Sequence, residues 1–237
     1  MVFIFVAPVF LLIAFILLLL VSVSVPVVYT INLFGIGVNT GGRFANAGVN
    51  GYVTFGVWGY CIDRMNMQFG GFNRGLYGDC SHPGVGYYFD PWVANALRVN
   101  PFYFENTISH SVTSALVMHV LAAILTFFTM AISVFMVVKR GSAGTARAPS
   151  LCTLILGVLA GLFTTVCFLI DVIFVAVVRD RIRDLSNDVL YVEYGNGVWM
   201  TLVAAILIWI GMVGACCGIF SCGGSRRFRK SQPVEAS

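Results

Sequence analysis

The stretch GVWGYC, Gly56 to Cys61, brackets one tryptophan with two glycines and ends on a cysteine, and a second cysteine follows at Cys80 in YGDCSHPG. Both lie in the one long polar segment of an otherwise apolar chain. Of the 237 residues, 59% are hydrophobic and 10% charged, with a mean hydropathy of +0.90. Soluble domains carry about 25% charged residues, so this is the composition of an integral membrane protein.

The apolar runs on either side of that segment are Val2 to Val28, Val112 to Val138, Leu151 to Val178 and Val198 to Phe220. Each is at least as long as the roughly 20 residues that cross a hydrocarbon core. The first lacks a basic start and is longer than the roughly 7 to 15 apolar residues of a signal peptide, so it reads as a retained helix. Lipid cannot bond the backbone, and the continuous runs lack the alternation of a barrel, so each run is predicted to be helical. The expected fold is an all-α membrane protein, a four-helix transmembrane bundle carrying a small disulfide-stapled extracellular β-sheet. Its helices fall at 1–28, 111–138, 151–178 and 198–220.

Basic residues orient it. The 139–150 link holds Lys139, Arg140 and Arg147, and the 221–237 tail holds Arg226, Arg227, Arg229 and Lys230. The 179–197 loop also holds Arg179, Arg181 and Arg183, so the tail decides. Both termini are expected to be cytoplasmic, at the plasma membrane. The net charge of +4 suits an anionic inner leaflet and gives no case for nucleic acid.

The segment 29–110 is then extracellular, in an oxidising compartment where a Cys61–Cys80 disulfide persists. Two free thiols are the alternative. Closing a loop of about 20 residues contributes on the order of 3 kcal/mol, a large share for a small exposed domain. Around the staple, YTINLFGIGV and GYVTFGVWGYCI alternate as strands do, while NTGG and GFNRG supply turn residues. Gly56 and Gly59 allow close backbone approach, and Trp58 is placed either in the sheet's core or at the lipid surface, where the run GYYFDPW would also lie.

These features resemble the claudin-like superfamily as fungi carry it, and more closely the fungal PalI family of pH-response regulators and the related eisosome tetraspans. The resemblance rests on SVSVPVV, FGVWGYC, ALVMHVLAAILTF, and FLIDVIFVAVVRDRI followed by GNGVWMTLVAAILI, which together span nearly the whole chain. Val120 departs from a proline that follows the histidine in family members, and the tail is short. The resemblance implies a non-catalytic scaffold or auxiliary subunit that steadies another integral membrane protein, such as a multi-helix pH sensor. A claudin-like mating or cell-fusion protein linked to calcium entry is the alternative, and a channel or transporter the next.

No catalytic constellation, metal site or cofactor is expected, since His82, His110 and His119 are far apart and no phosphate loop or nucleophile motif occurs. Within the spans, His119 and Asp171 are the unusual residues, because ionisable groups in lipid are rare. At 1.5 Å per residue His119 lies about 10 to 14 Å and Asp171 about 10 Å below the outer ends of their helices, so they are predicted to pair. The hydroxyls of Thr164, Thr165 and Thr201 are alternative partners.

Gly157 with Gly161, and Gly214 with Gly218, form Gly-x-x-x-Gly faces for packing within the bundle or for a homo-oligomer seam. Cys216, Cys217 and Cys222 beside the basic tail suit palmitoylation; plain packing is the alternative. Cys152 and Cys167 read as packing residues.

Overall fold

The computed structural model describes residues 3–39, 47–69, 72–77, 80–81, 101–139, 147–186 and 190–223, with only the backbone described toward the ends of several elements. Among these residues there are four helices, α1 (Phe3–Ser22), α2 (Pro101–Lys139), α3 (Arg147–Ser186) and α4 (Asn196–Gly223). The strands are β1 (Phe34–Asn39), β2 (Ala47–Phe55), β3 (Tyr60–Phe69), β4 (Phe72–Tyr77) and β5 (Leu190–Tyr194). Three stretches are long and apolar enough to cross a membrane, Val117–Val138, Cys152–Asp184 and Asn196–Ala215, and Ala7–Ser22 of α1 is a shorter apolar helix. The helices pack in a ring, with α1 against α2 and α4, and α3 against the same two.

Helix α1 stops at Ser22 rather than at 28, and residues 23–30 form turns. Pro26 has no N–H to donate, and the residue before a proline avoids the helical region, so VSVSVP is a natural stop. Helix α2 begins at Pro101 rather than at 111, a proline at the first helical position being preorganised for a helix. Helix α3 continues past 178 to Ser186 because Val175, Val178 and Ile182, spaced at three and four residues, keep one buried stripe running through RDRIRDLS.

The five strands form one antiparallel sheet in the order β4-β3-β2-β1-β5. Its fifth strand comes from the 179–197 loop, where no strand was expected from the sequence. LYVEY pairs with β1 in the register Phe34↔Tyr194 to Val38↔Leu190. Two readings of the first loop are also corrected. GYVTFGVWGYCI is not one strand; it is the β2–β3 hairpin, with Phe55 paired to Tyr60 and residues 56–59 as its turn. Phe72 to Gly75 of GFNRG are not turn residues, because Phe72–Tyr77 forms β4, with Phe72 paired to Phe69; Gly71 lies outside the described residues. Most of NTGG and all of GYYFDPW also lie outside them.

Alternation directs one sheet face to the helix ends. Phe34, Ile36, Val53, Phe55 and Val192 bury themselves with Val21, Val175, Val178, Ile182 and Val198, so sheet and helices share a single core. Phe34 stacks on Phe55 at 4.7 Å between ring centroids and meets Phe174 of α3 edge-on at 5.7 Å. A second core lies deeper in the bundle, where Leu11, Ala14 and Leu18 of α1 meet Ala122, Cys167 and Ile208.

Candidate functional site

The hairpin turn at 56–59 sits on the end of α1. A helix leaves its last carbonyls without intrahelical donors. Here the Leu19 carbonyl accepts from the Val23 N–H and the Val21 carbonyl from the Ser24 N–H. The Ser22 carbonyl accepts the indole N–H of Trp58. The backbone N–H of Trp58 donates to the Val25 carbonyl at 3.2 Å, and that of Val57 donates to the Ser24 hydroxyl at 2.9 Å. Trp58 is partly buried against the shared core, so its ring packs while its N–H caps α1.

The two glycines of the motif permit that contact. A Cβ at Gly56 would run into the backbone of Val25, and one at Gly59 would strike the Ser81 hydroxyl and approach Pro26. The turn closes on itself through Gly56 N–H to the Gly59 carbonyl at 2.9 Å.

The disulfide supports the same corner. Cys61 and Cys80 are joined, with an S–S distance of 2.06 Å. The next residue, Ser81, donates its N–H to the Tyr60 carbonyl at 2.9 Å and accepts the Tyr60 N–H on its hydroxyl at 3.0 Å. From the other side, Gly195 and Gly197 donate to the carbonyls of Leu33 and Asn32 at 2.8 and 2.9 Å. A Cβ at Gly195 would collide with the Asn32 carbonyl. Segment 22–33 is thus held by the β2–β3 turn and by the start of α4. Sequence reading missed Ser24, Ser81 and these two glycines. The signals available were the serines of SVSVP and DCS and the GNG triplet before the last apolar run.

Deeper in the bundle, α2 and α3 bring His119 and Asp171 together. Nε2 of His119 lies 3.2 Å from Oδ2 of Asp171, with the two side chains 0% and 3% exposed. Each reduces the cost of burying the other. The threonines weighed as alternatives donate within their own helices, and Thr165 also accepts the indole N–H of Trp209 of α4 at 3.2 Å. Thr164 donates to the Ala160 carbonyl at 2.8 Å, Thr165 to Gly161 at 2.7 Å, and Thr201 to Gly197 at 3.0 Å.

Gly157 lets Met212 of α4 lie against α3, and Gly161 lies under Trp209 and Ile208. A Cβ at Gly214 would meet nothing within 4 Å, so Gly214 does not mark a close approach within the bundle. Of the cysteines read as packing residues, Cys167 is buried and Cys152 exposed. For Cys216, Cys217, Gly218 and Cys222 only the helical backbone is described, and the same holds for His110; His82 and the tail from 224 lie outside the described residues. Among the described residues no group of three or more His, Cys, Asp or Glu could hold a metal ion.

No individual curated protein matches this chain. The sequence model of the SUR7/PalI family matches residues 3–211, a span that includes the hairpin turn, the disulfide and the His119–Asp171 pair. The chain belongs to the SUR7/PalI family.

Proposed function

We propose that the protein is a non-catalytic plasma-membrane tetraspan that serves as scaffold or auxiliary subunit for another integral membrane protein. In this reading α1 is a fourth span, both termini are cytoplasmic, and the sheet and disulfide are extracellular, a claudin-like arrangement. The observation that carries it is the shared core: Phe34, Phe55 and Val192 of the sheet pack with Val21, Val178 and Val198 of the helices. A sheet so joined presents a fixed surface to a neighbour.

The described polar groups support a shape-based role. Trp58, Ser24 and Ser81 are used in the junction, and His119 with Asp171 in the bundle. A groove of about 480 Å³ between α1 and α2 is walled by residues such as Phe15, Leu19, Ile124 and Phe127, with Ser22 its single hydroxyl. Such a lining suits acyl chains and offers little to a reacting substrate.

Family membership favours a PalI-like part in ambient-pH response or in organising a membrane domain. Deleting the gene should mislocalise or destabilise a second membrane protein, such as a multi-helix pH sensor, and Trp58→Ala should reproduce the loss while the protein stays in the membrane. Purified protein in liposomes giving an ion flux that Asp171→Asn abolishes would refute this reading in favour of a channel. Loss of calcium entry during cell fusion, with every other membrane protein in place, would favour the mating-protein alternative.

A further inference from the structure

Between α1 and β1 the chain runs VSVPVVYTI, residues 23–31, without a charged residue. The Val23 N–H still donates to the Leu19 carbonyl at 3.1 Å, so its side chain lies on the helix face of Leu19. It thereby carries the exposed apolar stripe of Ile13, Ile16 and Leu19 past the end of α1. Ser24, Val25 and Pro26 are buried against the β2–β3 turn. Val27 and Tyr29 are exposed again, at 57% and 68%.

Contacts at both ends fix the height of this turn. Before it, Val21 packs in one core with Val178 of α3 and Val198 of α4, and after it the Asn32 carbonyl accepts from the Gly197 N–H at 2.9 Å. The chain therefore leaves and returns at the level of the first residues of α4, where Trp199 is exposed. On α3 the exposed apolar stripe of Leu169, Ile173 and Val177 ends at this height and gives way to exposed Arg179, Asp180 and Arg181. An outward stripe that changes from apolar to charged within one turn marks the edge of the hydrocarbon. From there α3 climbs to Ser186, about 12 Å higher. Segment 23–31 instead folds back at once, with Val27 N–H donating to the Ser24 carbonyl and Ile31 N–H to the Val28 carbonyl, both at 3.2 Å.

We propose that turn 23–31 is an interfacial foot, its Val23, Val27 and Tyr29 side chains set into the headgroup–acyl boundary of the outer leaflet, with bilayer lipid as the partner. Val23 belongs to the same stripe that α1 turns toward acyl chains. Trp199 stands at the same level, and tryptophan and tyrosine collect at this boundary because the ring is apolar while the N–H or hydroxyl reaches the wet side. With no ion to desolvate, the turn enters the boundary without the cost that a charged loop would meet. Because residues 24–26 behind the foot also hold the β2–β3 turn, the foot sets the height of the sheet above the bilayer. The proposal rests on the reading of α1 as a membrane span with the sheet outside.

The test puts a benzophenone-bearing phenylalanine analogue at one position at a time in the full-length protein, in phosphatidylcholine nanodiscs, and reads lipid adducts by mass spectrometry after irradiation. Probes replacing Val27 and Tyr29 should yield lipid adducts, as should one replacing Ile16 within α1. A probe replacing Asp184, exposed near the upper end of α3, should yield none above the unirradiated control. An intact Cys61–Cys80 link and an unchanged melting temperature show that each variant is folded, and the two turn positions report independently. Adducts at 16 with none at 27 or 29 would overturn the foot and leave the span standing. Crosslinks from 27 and 29 to a second copy of the chain in place of lipid, or equal lipid yields at 29 and 184, would overturn it as well. Absence of adducts at 16 would take α1 out of the membrane and remove both the foot and the four-span reading.

Discussion

The imidazole of His119 on α2 and the carboxylate of Asp171 on α3 meet at 3.2 Å inside the helix bundle, both almost wholly shielded. An acid left there without its partner would be an uncompensated buried charge, so the contact joins the two helices at one height and in one rotation. The pair is therefore best probed by breaking it from each side.

His119→Ala is expected to destabilise the bundle by about 3 to 5 kcal/mol, because it strands Asp171, whereas Asp171→Asn keeps an amide that can still hydrogen-bond and should cost less. In a double-mutant cycle the two changes should couple by about 1 to 3 kcal/mol. Thermal unfolding in detergent measures this, and strictly additive effects would show that the contact does not join the helices energetically.

Trp58 carries two separable contributions. Trp58→Ala should cost about 3 kcal/mol through lost packing at the junction. Trp58→Phe retains most of the ring and loses the bond to the Ser22 carbonyl, for about 1 kcal/mol. Similar losses for both would place the whole effect in the cap.

The glycines should rank by what a methyl group would strike. Gly56→Ala and Gly195→Ala collide with backbone, at Val25 and Asn32, and should each cost about 2 to 3 kcal/mol or prevent folding. Gly157→Ala meets the flexible end of Met212 and should cost under about 1 kcal/mol, and Gly214→Ala, with open space around it, should be neutral to stabilising by a few tenths. A flat series would mean that the junction is looser than these contacts imply.

Tags at Met1 and Ser237 should be reached only after permeabilisation, and a tag near Gly71 from outside the cell. Non-reducing peptide mapping should recover Cys61 linked to Cys80, and Cys61→Ser should reduce folding yield more than any change at Cys152 or Cys167. An externally accessible C-terminus would invert the proposed orientation and remove the oxidising-compartment argument.

The sequence by itself determined the class and its parts. Long apolar runs can be satisfied only as helices in lipid, alternation around Tyr29 to Ile62 marks strands, and two cysteines in the one long polar loop mark a staple. Family membership was legible in the same short motifs. What the sequence left open was direction and contact. Helices made of Leu, Val, Ile and Phe all round have no polar side to point outward, so periodicity could not say that Leu11, Leu18 and His119 face inward while Val120 and Phe128 face out. Nor could it join LYVEY to a strand some 150 residues earlier in the chain, because a five-residue alternation gains its stability from the neighbour it pairs with. The glycine-bracketed tryptophan is the clearest case. Its composition announced close approach, but that it approaches Val25, and gives its indole N–H to Ser22, depends on the end of α1 and the β2–β3 turn arriving at the same place. Only the folded core that they share with α3 and α4 brings them there.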